Sequence, residues 1–176
     1  MNEIEVSILM GSDSDLPVML GAAQVLEAFH VAHEVRIVSA HRTPERAAQL
    51  AREARGRGVK VIIAGAGMAA HLAGVVAAHT PVPVIGVPLR SEKSGLDGAD
   101  ALYATVQMPP GVPVASVGIG AAKNAAHLAV RILALSNADL ARKLDDARRE
   151  MSESVAAKDE RLQQIGAKTY LQEKDA

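Results

Sequence analysis

Two neighbouring side chains, His41 and Arg42, stand in the run Ser39-Ala40-His41-Arg42-Thr43-Pro44. An imidazole can give and take a proton near neutral pH. A guanidinium can clamp a phosphate through two parallel hydrogen bonds. The run closes a strand pattern over Val35 to Val38, and Pro44 suits the first turn of a helix whose cap is Thr43. His41 as a buried hydrogen-bonding residue and Arg42 as a surface charge would be the purely structural alternative. Two polar groups together at the carboxyl end of a strand favour chemistry.

A second cluster is Gly11-Ser12-Asp13-Ser14-Asp15, between a first strand and a first helix. A helix start offers free backbone N–H groups and the positive end of the dipole, which suit a phosphate, and the Ser12 and Ser14 hydroxyls add donors. Serine and aspartate are also ordinary N-caps, so both readings stay open here. The cluster is neither the P-loop pattern nor the dinucleotide fingerprint. A third stretch, Gly65-Ala66-Gly67-Met68-Ala69-Ala70-His71-Leu72-Ala73-Gly74, puts glycines where a backbone can approach a ligand closely. It also carries one polar side chain, His71, in an alanine-rich setting. Close helix–sheet packing with a locally satisfied His71 explains the same residues. The polar loop Arg90 to Gly98 reads as a lid or as a plain connection, and the prolines of Val106 to Val114 as a rigid turn. His30, His33, His79 and His127 lack the spacing of a zinc-binding helix and read as surface or packing residues, so no metal is expected.

Short apolar runs alternate with helical patterns and must position these groups. Strands are expected at Ile4 to Met10, Val35 to Val38, Val61 to Ala64, Val82 to Val87 and Pro113 to Val117. Helices are expected at Asp15 to Phe29, Thr43 to Arg57, Met68 to His79, Ala99 to Gln107 and Lys123 to Leu135. Strands joined to helices by short connections imply βαβ units and a parallel sheet. The fold class is α/β: a flavodoxin-like three-layer α/β/α sandwich with a five-stranded parallel sheet. Ligands in such sheets bind beyond the carboxyl ends of the strands, near the switch in strand order. The catalytic α/β domain is expected over residues 1–136, and a charged helix and tail over 137–176, the helix reaching about Gln164. Leu140, Leu144, Met151 and Val155 give that helix a narrow apolar stripe, suited to a neighbouring subunit.

Composition excludes several classes. Apolar residues make up 49% of 176, yet only three are aromatic, Phe29, Tyr103 and Tyr170. Aliphatic side chains and alanine must therefore form the core. Stacking platforms for single-stranded nucleic acid are missing, as are aromatics to sandwich a flavin. The net charge of −1 and the lack of a basic run argue against a nucleic-acid partner. With no cysteine, thiol catalysis and disulfides are excluded. No apolar stretch suits a membrane span, no signal peptide is evident, and a cytoplasmic location is expected.

Taken in order, these segments resemble the 5-(carboxyamino)imidazole ribonucleotide mutase family from about Val6 to Leu135. The family's Met-Gly-Ser-x-Ser-Asp start is similar to Met10 to Asp15, and its Ser-Ala-His-Arg-Thr-Pro run stands intact at Ser39 to Pro44. Its glycine-rich Ala-Ala-His-Leu loop is similar to Gly65 to Leu72, and its Val-Gln-Met-Pro-x-Gly-x-Pro-Val run to Val106 to Val114. The chain departs from the family pattern where Met68 replaces a glycine and Ala73 a proline. The resemblance implies exchange of a carboxyl group between two ribonucleotides of purine biosynthesis, without metal, ATP or organic cofactor. It implies His41 as general acid–base. Ser12, Asp15 and Arg42 match substrate-binding positions, with Gly11, Ser14, Ser39, Gly67 and His71 around the same substrate. It further implies a homo-octamer in which the C-terminal helix reaches a neighbour. The alternatives are a direct carbon dioxide-dependent carboxylase of the same fold and a non-enzymatic binding module for a phosphorylated ligand.

Overall fold

The computed structural model of the chain describes residues 3–174, so the outermost ends of the two expected segments, residues 1–2 and 175–176, lie outside the described residues. One compact unit ends at Leu133 and a second begins at Ala134.

In the first unit, β1 (Val6–Met10), β2 (His33–Ile37), β3 (Val61–Gly67), β4 (Val84–Leu89) and β5 (Ala115–Ser116) form one sheet in the order β2-β1-β3-β4-β5. Every pairing is parallel. The helices between them are α1 (Leu16–Ala28), α2 (Pro44–Ala54), α3 (Leu72–Ala78) and α4 (Ala99–Val106), followed by α5 (Ala122–Ala134). β1 and β4 are buried along their whole length, as expected of central parallel strands covered on both faces. β2 lies at the edge and alternates less, with Val35 and Ile37 exposed.

Side chains alternate between the two faces of each strand. Leu9, Ile62, Ala64 and Val84 join Ala47, Leu50 and Ala51 of α2 and Leu72, Ala73 and Val76 of α3 in one core cluster. On the other face, Met19 of α1 seats against Gly65, where an added Cβ would lie 2.4 Å from its sulfur. Gly65 is therefore required by the approach of a helix, not by a turn. With few aromatic rings available, small residues at such contacts bring helix and sheet together.

The strand order reverses at β1. The chain steps from β1 to β2 on one side and then returns past β1 to β3, so the carboxyl ends of β1 and β3 flank an open crevice. Expectation and structure differ mainly at boundaries. The helix expected from Met68 begins only at Leu72, because Met68 has φ 55 and His71 N donates to Ala69 O at 2.8 Å in a tight turn. A left-handed residue cannot continue a right-handed helix. The first helix opens with a 3-10 turn, Asp13–Asp15, and becomes α-helical at Leu16. The fifth strand shrinks to two residues, since Pro113 at its expected start has no N–H to donate.

In the second unit, α6 (Ala138–Lys174) starts with Asn137, whose side-chain oxygen accepts from Asp139 N and Leu140 N. Its first helical run reaches Gly166, where φ 75 and ψ 156 break it, and a further run continues past the expected end at Gln164. Arg161 and Glu173 pair across the break at 2.9 Å. Met151 and Val155 of the apolar stripe are exposed.

Candidate functional site

The loops after β1, β2, β3 and β4 surround a cavity of about 790 Å³ at the carboxyl edge of the sheet. Gly11, Ser12, Ser14 and Asp15 line it from the β1 loop, Ser39, His41 and Arg42 from the β2 loop, and Gly67 from β3. Eight of the nine residues singled out from sequence thus meet in one place. The ninth, His71, stands behind His41, with its Nδ1 2.9 Å from His41 Nε2. The two rings meet edge to face at 4.9 Å between centroids. One nitrogen of that contact donates and the other accepts, so the tautomers of the two rings are linked.

Each side chain is held by its own loop. Ser39 starts the β2 loop and its hydroxyl accepts from Arg42 N at 3.2 Å. Thr43, expected as the cap of α2, turns its hydroxyl back instead. It accepts from Ser39 N and donates to Ser39 O, each at 3.0 Å. This closed turn leaves the α2 start uncapped by a side chain and fixes the backbone on both sides of His41. Arg42 reaches across to the β1 loop, where Nη2 donates to Gly11 O at 3.1 Å. That bond uses one of five guanidinium donors and leaves the rest for a ligand.

The β1 loop is a capping box. Ser12 Oγ accepts from Ser14 N, and Asp15 accepts from Ser12 N at 3.0 Å. Burial pushes the Asp15 carboxyl above its usual range. The N–H groups of Ser12 and Gly11 and the charge of Arg42 pull the other way without cancelling this. Asp15 is thus an acid held partly out of water in a crevice, a common mark of a functional position.

The floor is made by the glycine-rich loop. A Cβ on Gly67 would come within 3.1 Å of Leu89 O, so the absence of a side chain there lets β3 and the β4 exit lie side by side. Met68, which follows, is a left-handed residue other than glycine, a conformation that costs about 1–2 kcal/mol. Ala40, Ala66, Ala69 and Leu72 give the cavity an apolar patch beside these polar groups. The β4 loop adds Arg90, Ser91, Glu92 and Lys93. None of these four was among the site residues singled out from sequence. Their signal was positional only: they follow a strand predicted to end at the same edge. The loop is fastened to α4 by Ser94 Oγ donating to Asp100 at 2.7 Å, a bond that first among several lowers the Asp100 pKa. The segment Val106 to Val114 does not line the cavity. Its Met108 sulfur would lie 2.9 Å from a Cβ on Gly74.

The other histidines stand apart from this cavity. His33 contacts Val31 O through Nδ1 at 3.0 Å. His127 meets Phe29 edge to face, and burial, helped by Arg131, lowers its pKa. Among the described residues no group of three or more histidine or acidic side chains converges as a metal site, and no helix is long and apolar enough to cross a membrane. A second cavity of about 520 Å³ lies between α1 and the start of α5. Lys123 is its one charged lining residue, and it holds no pair of groups suited to proton transfer.

The Arg42 guanidinium, with donors to spare, and the His41–His71 imidazole pair meet at one cavity, an arrangement that can hold an anionic group and move a proton. The chain is 54% identical over 170 residues to the N5-carboxyaminoimidazole ribonucleotide mutase of Thermotoga maritima, covering 97% of this chain and 98% of that one. It is 53% identical to the mutase of the same name from Pyrococcus horikoshii, covering 96% and 94%. It is 55% identical to the phosphoribosylaminoimidazole carboxylase of Candida glabrata over 96% of this chain, but spans only 29% of that protein. Among solved structures, PurE of Treponema denticola superposes with a TM-score of 0.81 at 32% identity, over 89% of this chain and 97% of that one. The AIR carboxylase family model matches residues 5–154, and the chain belongs to that family.

Proposed function

We propose that this chain is an N5-carboxyaminoimidazole ribonucleotide mutase, interconverting 5-(carboxyamino)imidazole ribonucleotide and 4-carboxy-5-aminoimidazole ribonucleotide in purine biosynthesis. The observation that carries this reading is the His41–His71 contact of 2.9 Å in a cavity whose other loops present Arg42 and the β1 turn. The near-complete mutual coverage with the mutase-named relatives supports it.

The substrate bears a carboxylate on its exocyclic nitrogen. His41 delivers a proton to that nitrogen, the N–C bond breaks, and its electron pair remains on nitrogen as carbon dioxide departs. The electron-rich ring carbon then attacks the carbon of carbon dioxide, forming a C–C bond. His41 removes the proton from the same ring carbon and the aromatic ring is restored. One proton is given and one is taken, so a single residue of this type suffices. His71 positions the His41 ring and sets which of its nitrogens carries hydrogen.

Arg42, Ser12 and Ser14 hold the phosphate as a remote anchor, and Asp15 takes the ribose hydroxyls. Binding energy gathered far from the reacting atoms then fixes the heterocycle against His41. Gly11, Ser39 and Gly67 let the backbone come close to the nucleotide. No metal or organic cofactor enters any step. The exposed stripe of α6 supports assembly with further copies, as a homo-octamer whose C-terminal helix seats on a neighbour. The enzyme works in the cytoplasm.

The identity to the carboxylase-named fungal protein favours one second reading, direct carboxylation of aminoimidazole ribonucleotide. Supplying carboxyaminoimidazole ribonucleotide, and separately aminoimidazole ribonucleotide with bicarbonate and carbonic anhydrase, separates the two. Fast formation of the 4-carboxy product from the first alone is expected. Fast formation from the second alone would replace the mutase by the carboxylase, and no product from either would leave a binding module.

A further inference from the structure

The cavity carries positive charge on two sides. Arg42 follows β2 and is tied to Gly11 O in the β1 loop at 3.1 Å. Arg90 and Lys93 line the same cavity from the loop after β4. In the order β2-β1-β3-β4, two strand spacings separate β1 from β4, about 10 Å. The floor between them is the end of β3, where Gly67 pairs with Leu89 and lies against its carbonyl. The crevice is basic at both ends, and the function proposed above uses only one of them.

Of the two cations in the β4 loop, Arg90 is the better placed. It directly follows the last residue of β4, which pairs with Gly67, and its Cα would lie 3.6 Å from a Cβ on Gly98. Its backbone is thus seated on β3 and on the turn before α4. A guanidinium is a planar fork that matches a carboxylate, whereas an ammonium is a point charge.

The resting contact of Arg90 is itself with a carboxylate. Its Nε pairs with Asp97 Oδ1 at 3.3 Å, and the two side chains are 68% and 76% exposed. A pair so open to water is weak and exchanges readily. The turn that presents Asp97 is nevertheless specific: φ 48 at Asp97 and φ 87 at Gly98 are two successive left-handed residues. The chain keeps an arginine at the cavity wall engaged by a carboxylate that a ligand's carboxylate can replace.

The reactant and the product each carry two anionic groups, the phosphate and the migrating carboxylate, at opposite ends of the molecule. With the phosphate on Arg42 and the β1 turn, the carboxylated ring points across β3 toward β4. We propose that Arg90 binds the migrating carboxylate in exchange for Asp97 and so distinguishes the carboxylated nucleotides from aminoimidazole ribonucleotide. This rests on the mutase reading above. The carbon dioxide released between the two half-reactions is uncharged, so Arg90 holds reactant and product and not the intermediate. Loss of such an interaction raises KM without lowering kcat.

The test compares two nucleotides on the whole chain. Affinities for 4-carboxy-5-aminoimidazole ribonucleotide and for aminoimidazole ribonucleotide are measured by calorimetry in the His41→Asn background, where neither is converted. Arg90→Gln is expected to weaken the first several-fold and to leave the second unchanged, and Arg90→Lys to recover part of the loss. Lys93→Gln is expected to change neither. Asp97→Asn, which suits the same left-handed backbone, is expected to tighten the first alone. With His41 in place, Arg90→Gln is expected to raise KM several-fold without lowering kcat. Equal weakening of both nucleotides by Arg90→Gln, or of neither, would overturn the proposal. So would a lowered kcat at unchanged KM, the same selective loss in Lys93→Gln, or weaker binding in Asp97→Asn. The wild type is assayed in parallel with carboxyaminoimidazole ribonucleotide, and absence of the 4-carboxy product there would remove the mutase reading whatever the Arg90 variants do.

Discussion

Two polar clusters sit on the same sheet and treat their charges in opposite ways. On β2, at the sheet edge, Glu34 accepts from Ser7 at 3.0 Å and pairs with Arg36 at 2.8 Å and Arg57 at 2.6 Å. Burial acts to raise its pKa, and the bonds from Arg57, Arg36 and Ser7 together outweigh that, so its carboxyl lies below the usual range. At the carboxyl edge, Asp15 is also partly buried, but its bonds do not compensate and its carboxyl lies above the usual range. Arg42 spends one donor on Gly11 O, and His41 is tied only to another titratable ring. A cluster whose charges answer one another is finished as structure. One that holds an acid out of water and leaves donors unspent is open to a ligand.

The largest expected effect breaks the second cluster and spares the first. His41→Asn should lower kcat by about 10²- to 10⁴-fold, as loss of a general acid–base does. Nucleotide affinity and thermal midpoint should stay near wild type. Steady-state kinetics with calorimetric binding checks this, and a variant that still turns over rapidly would move the proton transfer elsewhere.

Arg42→Gln comes next. Losing charge-assisted bonds to a phosphate should weaken nucleotide binding by about 10- to 100-fold, with a smaller effect on kcat. The weakening should be equal for aminoimidazole ribonucleotide and its carboxylated forms, because the phosphate is common to all.

Glu34→Gln sharpens the contrast from the other side. A carboxylate whose folded pKa is lowered contributes stability above its unfolded pKa and loses it as pH falls through the folded value. The variant should be less stable by about 1–2 kcal/mol at neutral pH and retain its turnover. The gap should close on acidification through the carboxylate range, read by urea melts at several pH values.

The smallest effect should have the reverse sign. A carboxylate whose folded pKa is raised is favoured in the folded protein while protonated, so its folded-state advantage is lost as pH rises through that pKa. Asp15→Asn should therefore raise the thermal midpoint slightly at neutral pH, by under about 2 °C since the group is partly solvated. It should bind nucleotide more weakly. A stability loss with binding intact would make Asp15 a cap and nothing more.

Much of this could be read from the chain itself. Alternating apolar runs gave the parallel sheet, and the Ser39 to Pro44 run gave His41 and Arg42, because strand-to-helix junctions announce themselves through apolar periodicity followed by Pro44. The β4 loop was harder. Arg90 to Lys93 belong to a loop that reads equally as a lid or as a solvated connection until the sheet brings the end of β4 beside Gly67. The late start of α3 was hidden for another reason: an alanine-rich stretch has high helix propensity, and only the left-handed Met68 overrides it. His71 could be singled out as unusual, but its contact with His41 spans 30 residues and exists only once β1, β2 and β3 are in register.

The most direct test of the account is a crystal structure of the protein with 4-carboxy-5-aminoimidazole ribonucleotide bound. The account predicts phosphate density on Arg42 and the β1 turn, ribose at Asp15, and the carboxylated ring against His41. Density at the Lys123 cavity instead, or a nucleotide in the crevice with its ring turned away from His41, would contradict it.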